Sequence, residues 1–372
     1  MTKTLRSVTS PAARLMVALL LCGTTINLPA QNTATAPAEV PEIGEPIIHT
    51  TTTNVVAPVL VTDRSGNIVD GLQPPQFRLF DNNKEQNIQV DVTYEPISLV
   101  VAIEASARVE KILPQIKHLG SLLPLVVGAQ GEAAVIAFDH RLRVMQDFTN
   151  DADKIKVAID KINPGSSSSR MIDTVERATY MLRNRQKNNR KIILLVSETR
   201  DQASEGRLRE TIIDAQLSNV IIYSVDITQF AVRLTEQPTP PRPDPIDVTA
   251  RPTTMGQANT PTTMAQNYGV QNQVQFIPLL KEIYLDAKHI FVQNPTTVFA
   301  KSTGGNEFSF LKQRGLEDAV QRIGQEIRSQ YLISYNPNNK TEPGFHEIAV
   351  VVENPAYTAK TRPGYWLGGG VN

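Results

Sequence analysis

Three short stretches carry the side chains able to do chemistry. Glu104-Ala105-Ser106-Ala107-Arg108 supplies a carboxylate, a hydroxyl and a guanidinium within five residues. Ser197-Glu198-Thr199-Arg200-Asp201 adds two carboxylates, two hydroxyls and a second guanidinium, and Gly165-Ser166-Ser167-Ser168-Ser169 sets a run of hydroxyls ahead of Asp173. The first two stretches follow the apolar runs Ile97 to Ile103 and Ile192 to Val196, which read as strands. In a parallel α/β sheet, ligands collect beyond the carboxyl ends of the strands. Two carboxylates, several hydroxyls and a guanidinium can therefore converge on one rim. Plainer readings stand beside this one. Glu104 and Glu198 also fit solvated strand ends, the Ser166 to Ser169 run fits a flexible approach to a helix, and Asp139-His140 fits polar surface after a strand.

Other chemistries lack their signatures. The five His are scattered, and neither His-Glu-x-x-His nor Gly-x-Ser-x-Gly occurs. Gly128 and Gly131 fall short of a dinucleotide fingerprint, and the hydroxyl-rich loop lacks the Lys of a phosphate loop. One Cys excludes an internal disulfide framework and a Cys-based zinc or iron–sulfur site. With 37 basic against 37 acidic side chains, composition gives no case for nucleic acid or an acidic membrane surface.

The elements that must position these residues follow from periodicity. Lys3, Arg6 and Arg14 precede the apolar run Leu15 to Cys22, followed by Leu28-Pro29-Ala30-Gln31, which is the layout of a cleavable signal peptide over residues 1–30. The run is about half the ~20 residues a spanning helix needs, so the expectation is export to the periplasm or beyond, with no membrane span in the mature chain. Lipidation at Cys22 is disfavoured by Leu21, where a small residue is expected. Residues 31–46, rich in Ala, Thr, Pro and Glu, read as a disordered tether. Residues 47–95 read as a small antiparallel β unit, because Val55, Ala57, Val59 and Val61 alternate, as do Ile88, Val90, Val92 and Tyr94.

From residue 96 to 329 the texture is α/β. Ile97 to Ile103, Ala133 to Phe138, Ile192 to Val196 and Val220 to Val225 are continuous apolar runs, the pattern of strands buried on both faces. Ile112, Ile116, Leu119 and Leu123 share a helical face, as do Ile155, Ala158, Ile159 and Ile162, and Val175, Ala178, Met181 and Leu182. Residues 231–275, filled with Pro, Thr, Gln and Asn, read as a disordered excursion. Ile277 to Ile290 is the next expected helix, Glu307 to Phe310 a strand, and Leu316, Val320, Ile323 and Ile327 a last amphipathic helix. Residues 330–368 close the chain as strands: Tyr331 to Tyr335, His346 to Val352 and Thr361 to Trp366. Each β piece alone has too few strands to bury a face, so the two are expected to form one sandwich. Phe345, Tyr365 and Trp366 fit a hydrophobic plug between β elements better than a ligand platform.

An acidic-x-Ser strand end, a hydroxyl-rich loop before a helix and a strand ending near Ser197-Glu198 together resemble a von Willebrand factor A domain with its metal-ion-dependent adhesion site. The frame around them, Val69-Asp70-Gly71-Leu72, Phe77, Asp81-Asn82-Asn83, Ser302-Thr303-Gly304-Gly305, Ile327 to Tyr335 and Arg362-Pro363-Gly364-Tyr365, resembles the exported von Willebrand factor A-related proteins of acidobacteria. The resemblance spans about Val55 to Trp366 apart from the Pro/Thr-rich excursion. It implies a doubly wound, mostly parallel sheet and a non-enzymatic binding role in which hydroxyls and water-bridged carboxylates hold Mg²⁺ or Mn²⁺. By position, the family's Asp-x-Ser-x-Ser falls on Glu104, Ser106 and Arg108, its loop Thr on Ser169 and its fourth-strand Asp on Glu198. Only Ser106 is unchanged.

Arg108 is the main departure, because a guanidinium does not deprotonate in a protein. Two positive charges within ~4 Å repel by roughly 4 kcal/mol at an effective dielectric near 20. If Arg108 points outward, Glu104, Ser106, Ser169 and Glu198 remain able to hold a weak Mg²⁺ or Mn²⁺. If it points inward it pairs with the carboxylates, the site is metal-free, and the guanidinium can meet a partner's carboxylate. The expectation is a metal-free rim on an exported protein that binds another extracytoplasmic protein, with no catalytic residue. The alternatives are a structural envelope component with an inert rim and a hydrolase using Glu104 or Glu198 as base.

Overall fold

A computed structural model describes residues 54–91, 96–186, 188–198, 200–229, 271–285, 294–309 and 313–367. The expected signal peptide and tether, and most of the 231–275 stretch, lie outside them.

The described chain opens with β1 (Val55–Thr62), β2 (Phe77–Asp81), β3 (Lys84–Glu85) and β4 (Ile88–Asp91). Strand alternation sends Val55, Ala57, Val59 and Val61 of β1 to one buried face. Asn82 and Asn83 make the β2–β3 turn at φ of 47° and 63°, a left-handed backbone that Asn tolerates better than most side chains.

The α/β part follows as β5 (Ile97–Glu104), α1 (Leu113–Lys117), α2 (Leu119–Val127), β6 (Glu132–Phe138), β7 (Leu142–Thr149), α3 (Ala152–Asp160), α4 (Met171–Arg183), β8 (Arg190–Ser197), α5 (Leu208–Leu217) and β9 (Val220–Asp226). Beyond residue 270 come α6 (Gln271–Leu285), α7 (Pro295–Thr303), β10 (Glu307–Ser309) and α8 (Gln313–Ser329). The strands lie in the order β10-β9-β8-β5-β6-β7 and are parallel except for β7, which pairs antiparallel with β6. All eight residues of β5 are buried, which requires cover on both faces. Leu99, Val101 and Ile103 pack with α1, α2, α3 and α8. Val100 and Ala102 pack with α4, α5, α6 and α7. This is the doubly wound sheet that the apolar runs and the resemblance imply. Strands that follow β5 lie on one side of it as far as β7 and on the other from β8 onward, so the order reverses between β5 and β8.

The chain closes with β11 (Tyr331–Tyr335), β12 (Gly344–Val352), β13 (Thr358–Lys360) and β14 (Gly364–Leu367). These interleave with the first four strands in two antiparallel sheets, β13-β1-β11-β4 and β14-β12-β2-β3. Val55 sits opposite Tyr335, and Ile348 opposite Asp81. Their inner faces share one apolar core that includes Val59, Leu79, Tyr331, Ile333 and Ile348, so N- and C-terminal segments together supply the strands that neither has alone.

Several elements differ from expectation. β7 is absent from the sequence reading because its alternation is interrupted by Arg143, Gln146 and Asp147, which suit an edge strand half-open to solvent. Helix α5 was also unforeseen. α6 begins at Gln271, inside the stretch expected to be disordered, since Gln is a good helix former despite its polar company. Pro363 has no N–H to give a ladder, so the last strand starts at Gly364 rather than Thr361. Trp366 stacks on Tyr284 of α6 at 5.7 Å between ring centres, and Phe345 lies 5.4 Å from the same ring. The plug therefore joins a β sheet to a helix rather than two β elements, and Tyr365 alone turns into the sandwich core.

One polar cluster sits inside the sandwich. Asp81, with no exposure, accepts from the Tyr335 and Tyr365 hydroxyls at 2.9 Å each and from Asn339 Nδ2 at 3.0 Å. His346 Nδ1 lies 2.7 Å from Asp81 Oδ1, and its Nε2 lies 2.6 Å from the carbonyl of Glu342. Carboxylate and carbonyl only accept, so both ring nitrogens face acceptors. Deleting the acceptor strands four buried donors. Asp81→Ala should therefore lower stability by about 3–5 kcal/mol in urea unfolding, against about 1 kcal/mol for Tyr335→Phe; equal small losses would show that the cluster is not a unit.

Candidate functional site

The reversal of strand order between β5 and β8 places the two strand ends side by side, the position at which open α/β sheets bind ligands. Glu104 closes β5, and its side chain is 1% exposed. Its Oε1 accepts from the Ser106 hydroxyl at 2.7 Å; its Oε2 lies 2.7 Å from the Ser197 hydroxyl and accepts from the Glu198 backbone N–H at 2.8 Å. Glu104 thus ties the end of its own strand to the end of the next.

Glu198, with its side chain 8% exposed, meets Arg108, whose Nη2 stands 2.6 Å from Glu198 Oε2. Arg108 points inward, yet 36% of its side chain remains in solvent. Both Glu are buried, so the reading of them as solvated strand ends does not hold. Ser169 is brought to the same rim by its loop. The Ser169 carbonyl accepts from the N–H of Gln202 and Ala203, at 3.0 and 3.1 Å, while Ser166 of the same loop accepts from the N–H of Ala107 at 2.9 Å. The Ser169 hydroxyl, also buried, has no hydrogen-bond partner among the described residues. The structure thus joins Glu104, Ser106, Glu198 and Arg108 by direct contacts and sets Ser169 beside them without one.

Two residues take roles that their types alone do not show. Ser197, a strand-end hydroxyl, links Glu104 to Glu198. Asp139 is fully buried rather than surface. Its Oδ1 accepts the Arg141 N–H at 2.7 Å, and Gly165 packs so closely that a Cβ there would fall 1.6 Å from Oδ2. Only glycine fits at 165, which pins the hydroxyl loop to the end of β6. Asp173 and Asp201 also have structural work: Asp201 Oδ1 accepts from the Met171 N–H at 2.7 Å at the start of α4, and Asp173 accepts from the Gly206 N–H at 2.7 Å.

The donor set fits a divalent cation poorly. One carboxylate is matched by a guanidinium, so an ion there would sit beside a fixed positive charge. Burial pushes the other, Glu104, above the ordinary value of 4.5, against the opposing effect of its hydrogen bonds from Ser197, Ser106 and Glu198 N–H. The local geometry agrees. The Ser197 hydroxyl has one proton and two oxygens at 2.7 Å, Glu104 Oε2 and the Glu198 carbonyl. A protonated Glu104 satisfies both contacts, giving its proton to Ser197, which then donates to the carbonyl. Burial also raises Glu198, opposed by Arg108 and Arg200 and aided by Asp226. Among the described residues no three His, Cys, Asp or Glu side chains gather as ligands. The Ser169 hydroxyl is the one group of the expected set still lacking a partner.

With its doubly wound sheet, antiparallel edge hairpin and rim at the order reversal, the α/β part has a von Willebrand factor A-like fold. No protein-family model matches the chain, and no curated protein matches it by sequence. Solved structures similar to it include the vWF domain of the type V pili tip protein Mfa5 from Porphyromonas gingivalis, at 17% identity and TM-score 0.24 over 28% of this chain and 38% of that one. The SpRpn10 VWA domain matches at 14% identity and TM-score 0.31, over 40% of this chain and 90% of its own. An aerotolerance-related membrane protein from Bacteroides fragilis NCTC 9343 matches at 12% identity and TM-score 0.38, over 62% of this chain and 99% of its own. The chain spans well under half the length of the first of these.

The raised Glu104 carboxyl sets a pH dependence. Its contribution to stability is complete below the unfolded value near 4.5 and is lost as pH rises through the higher folded value. Glu104→Gln keeps an acceptor for Glu198 N–H and supplies an uncharged donor to Ser106. It should raise Tm relative to the parent at about pH 7, with the gap closing toward about pH 4 in a thermal-denaturation series. A gap of constant size across that range would count against the protonation.

Proposed function

We propose that this chain is an exported, non-enzymatic binding protein whose strand-end rim holds no metal and presents Arg108 to a carboxylate of a partner protein. The observation that carries this reading is the position of the guanidinium. Arg108 Nη2 is fixed against Glu198 while 36% of the side chain stays in solvent, which preorganises the fork for a second carboxylate. The buried carboxylate beneath it cuts the conformational freedom Arg108 would otherwise lose on binding. Burial of Glu104 behind three hydrogen bonds works against its use as a general base, because a base must reach the proton that it takes. Export rests on the charged and apolar pattern of the first thirty residues; no described helix is long and apolar enough to cross a membrane.

Two variants test the reading. Arg108→Ser should give a protein that Mg²⁺ stabilises and binds measurably in calorimetry, while the parent shows neither effect; no Mg²⁺ heat in the variant removes the claim that the guanidinium is what excludes the ion. Arg108→Gln should lose roughly tenfold or more in affinity for partners captured from the source organism's envelope fraction, the value of a charge-assisted hydrogen bond. An unchanged capture profile would favour a structural component with an inert rim.

A further inference from the structure

A second polar cleft, of about 280 Å³, lies where β8 and β9 begin, at the opposite edge of the parallel sheet from the rim. A strand of eight residues separates the two by roughly 25 Å. Asn54, Val56 and Pro58 of the chain entering and forming β1, with Leu332 and Ser334 of β11, make one wall; Asn189, Asn219 and Ile221 contribute to the other. Both β-strands turn their alternate residues into the sandwich core, so these are the positions that face away from it.

Arg362 lines this cleft and is 4% exposed. Among the described residues its guanidinium makes no hydrogen bond or ion pair, and its Nε is buried without a partner. It lies over the Tyr365 ring, 5.7 Å from Cζ to the ring centre. A ring face attracts the charge but accepts from none of five N–H donors in the plane of the fork. The other charged residues lining the cleft are differently placed. Arg190 donates to the carbonyls of Ile327 and Gln330, while Lys191 and Asp91 have partners of their own. One buried positive charge is therefore uncompensated, and a buried charge without a partner costs several kcal/mol. Desolvation also pushes the Arg362 guanidinium below its ordinary value, as an unmatched cation requires.

We propose that this cleft binds a small monocarboxylic acid, its carboxylate taken by the Arg362 guanidinium and its short hydrocarbon body packed on Val56, Pro58 and Leu332. A single unmatched charge suits a monoanion. The volume lies just below the usual range for drug-sized pockets, which suits a small ligand.

The test titrates the full chain with butyrate, with its neutral isostere butyramide and with inorganic phosphate, reading thermal shift and calorimetry. Butyrate alone should bind saturably and raise Tm. Arg362→Gln should weaken butyrate binding by about ten- to a hundredfold, the worth of a hydrogen-bonded charge. Ser334→Asp supplies a tethered carboxylate from the cleft wall; it should abolish the butyrate response and raise Tm without ligand. That variant decides the matter where Arg362→Gln does not fold. Equal binding of butyramide, preference for phosphate, absence of butyrate binding, or full butyrate affinity in Ser334→Asp would each overturn the proposal.

Discussion

The contact between Arg108 and Glu198 sets the chemistry of the strand-end rim, because it decides the sign of the charge that the rim can present. A carboxylate that is 8% exposed cannot keep its charge without a counter-ion at hand, and the guanidinium supplies one that no pH change removes. Part of the Arg108 side chain stays in solvent beyond that pair. The carboxyl beneath it follows the same rule by the other route. Glu104, with no cation against it, is stabilised by donors and by the pressure of burial toward its neutral form. Two glutamates one strand apart thus reach charge balance differently, and neither is left as an open anionic ligand.

This arrangement depends on the sheet beneath. Glu104 is the terminal residue of a strand buried on both faces, and Ser197 ends its parallel neighbour. Their register, Ile103 beside Val196, brings the next residues of both chains into contact without any long side chain having to reach. Gly165 against Asp139 then fixes the third loop, since any Cβ would collide with the carboxylate. The rim is therefore made of backbone ties between loops, with side chains held by those ties.

Much of this was legible in the amino-acid order, for a physical reason. The strands β5, β6, β8 and β9 carry unbroken apolar runs because helices cover both their faces, and their shortness and β-branched content mark them as strands rather than buried helix. Pairing of the terminal β pieces was legible from strand shortage alone. What was hidden is what depends on direction rather than type. Arg108 has a long, flexible stem that reaches inward or outward with equal ease in sequence terms, and only the space beside Glu198 decides between them. Asp139 looked like loop surface because its cover, Gly165, comes from 26 positions away in the chain. β7 was hidden because an edge strand needs only half an apolar face. Trp366 was correctly read as packing, but its partner Tyr284 belongs to a helix that no β pattern could point to.

The same comparison of direction with type separates the two poles of the sheet. At the carboxyl ends, a guanidinium and a carboxylate were both visible as residue types, and their pairing reduces the charge available for a ligand. At the amino ends, Arg362 stood in a Arg-Pro-Gly-Tyr stretch whose Pro and Gly announce only a turn, and nothing nearby in sequence offers it a carboxylate. Asp81, the one fully buried carboxylate of the sandwich, already accepts from Tyr335, Tyr365, Asn339 and His346. Two of those donors, Tyr335 and Tyr365, are hydroxyls whose charges would favour Arg362 only if ionised, and their burial holds both well above the ordinary value of 10.0. The sandwich thus satisfies its acid from neutral hydroxyls, an amide and an imidazole, while Arg362, also buried, lines a cleft. A fold that needed Arg362 only for packing would be served as well by an apolar side chain of similar volume, so the positive charge at that position has its explanation in what enters from outside.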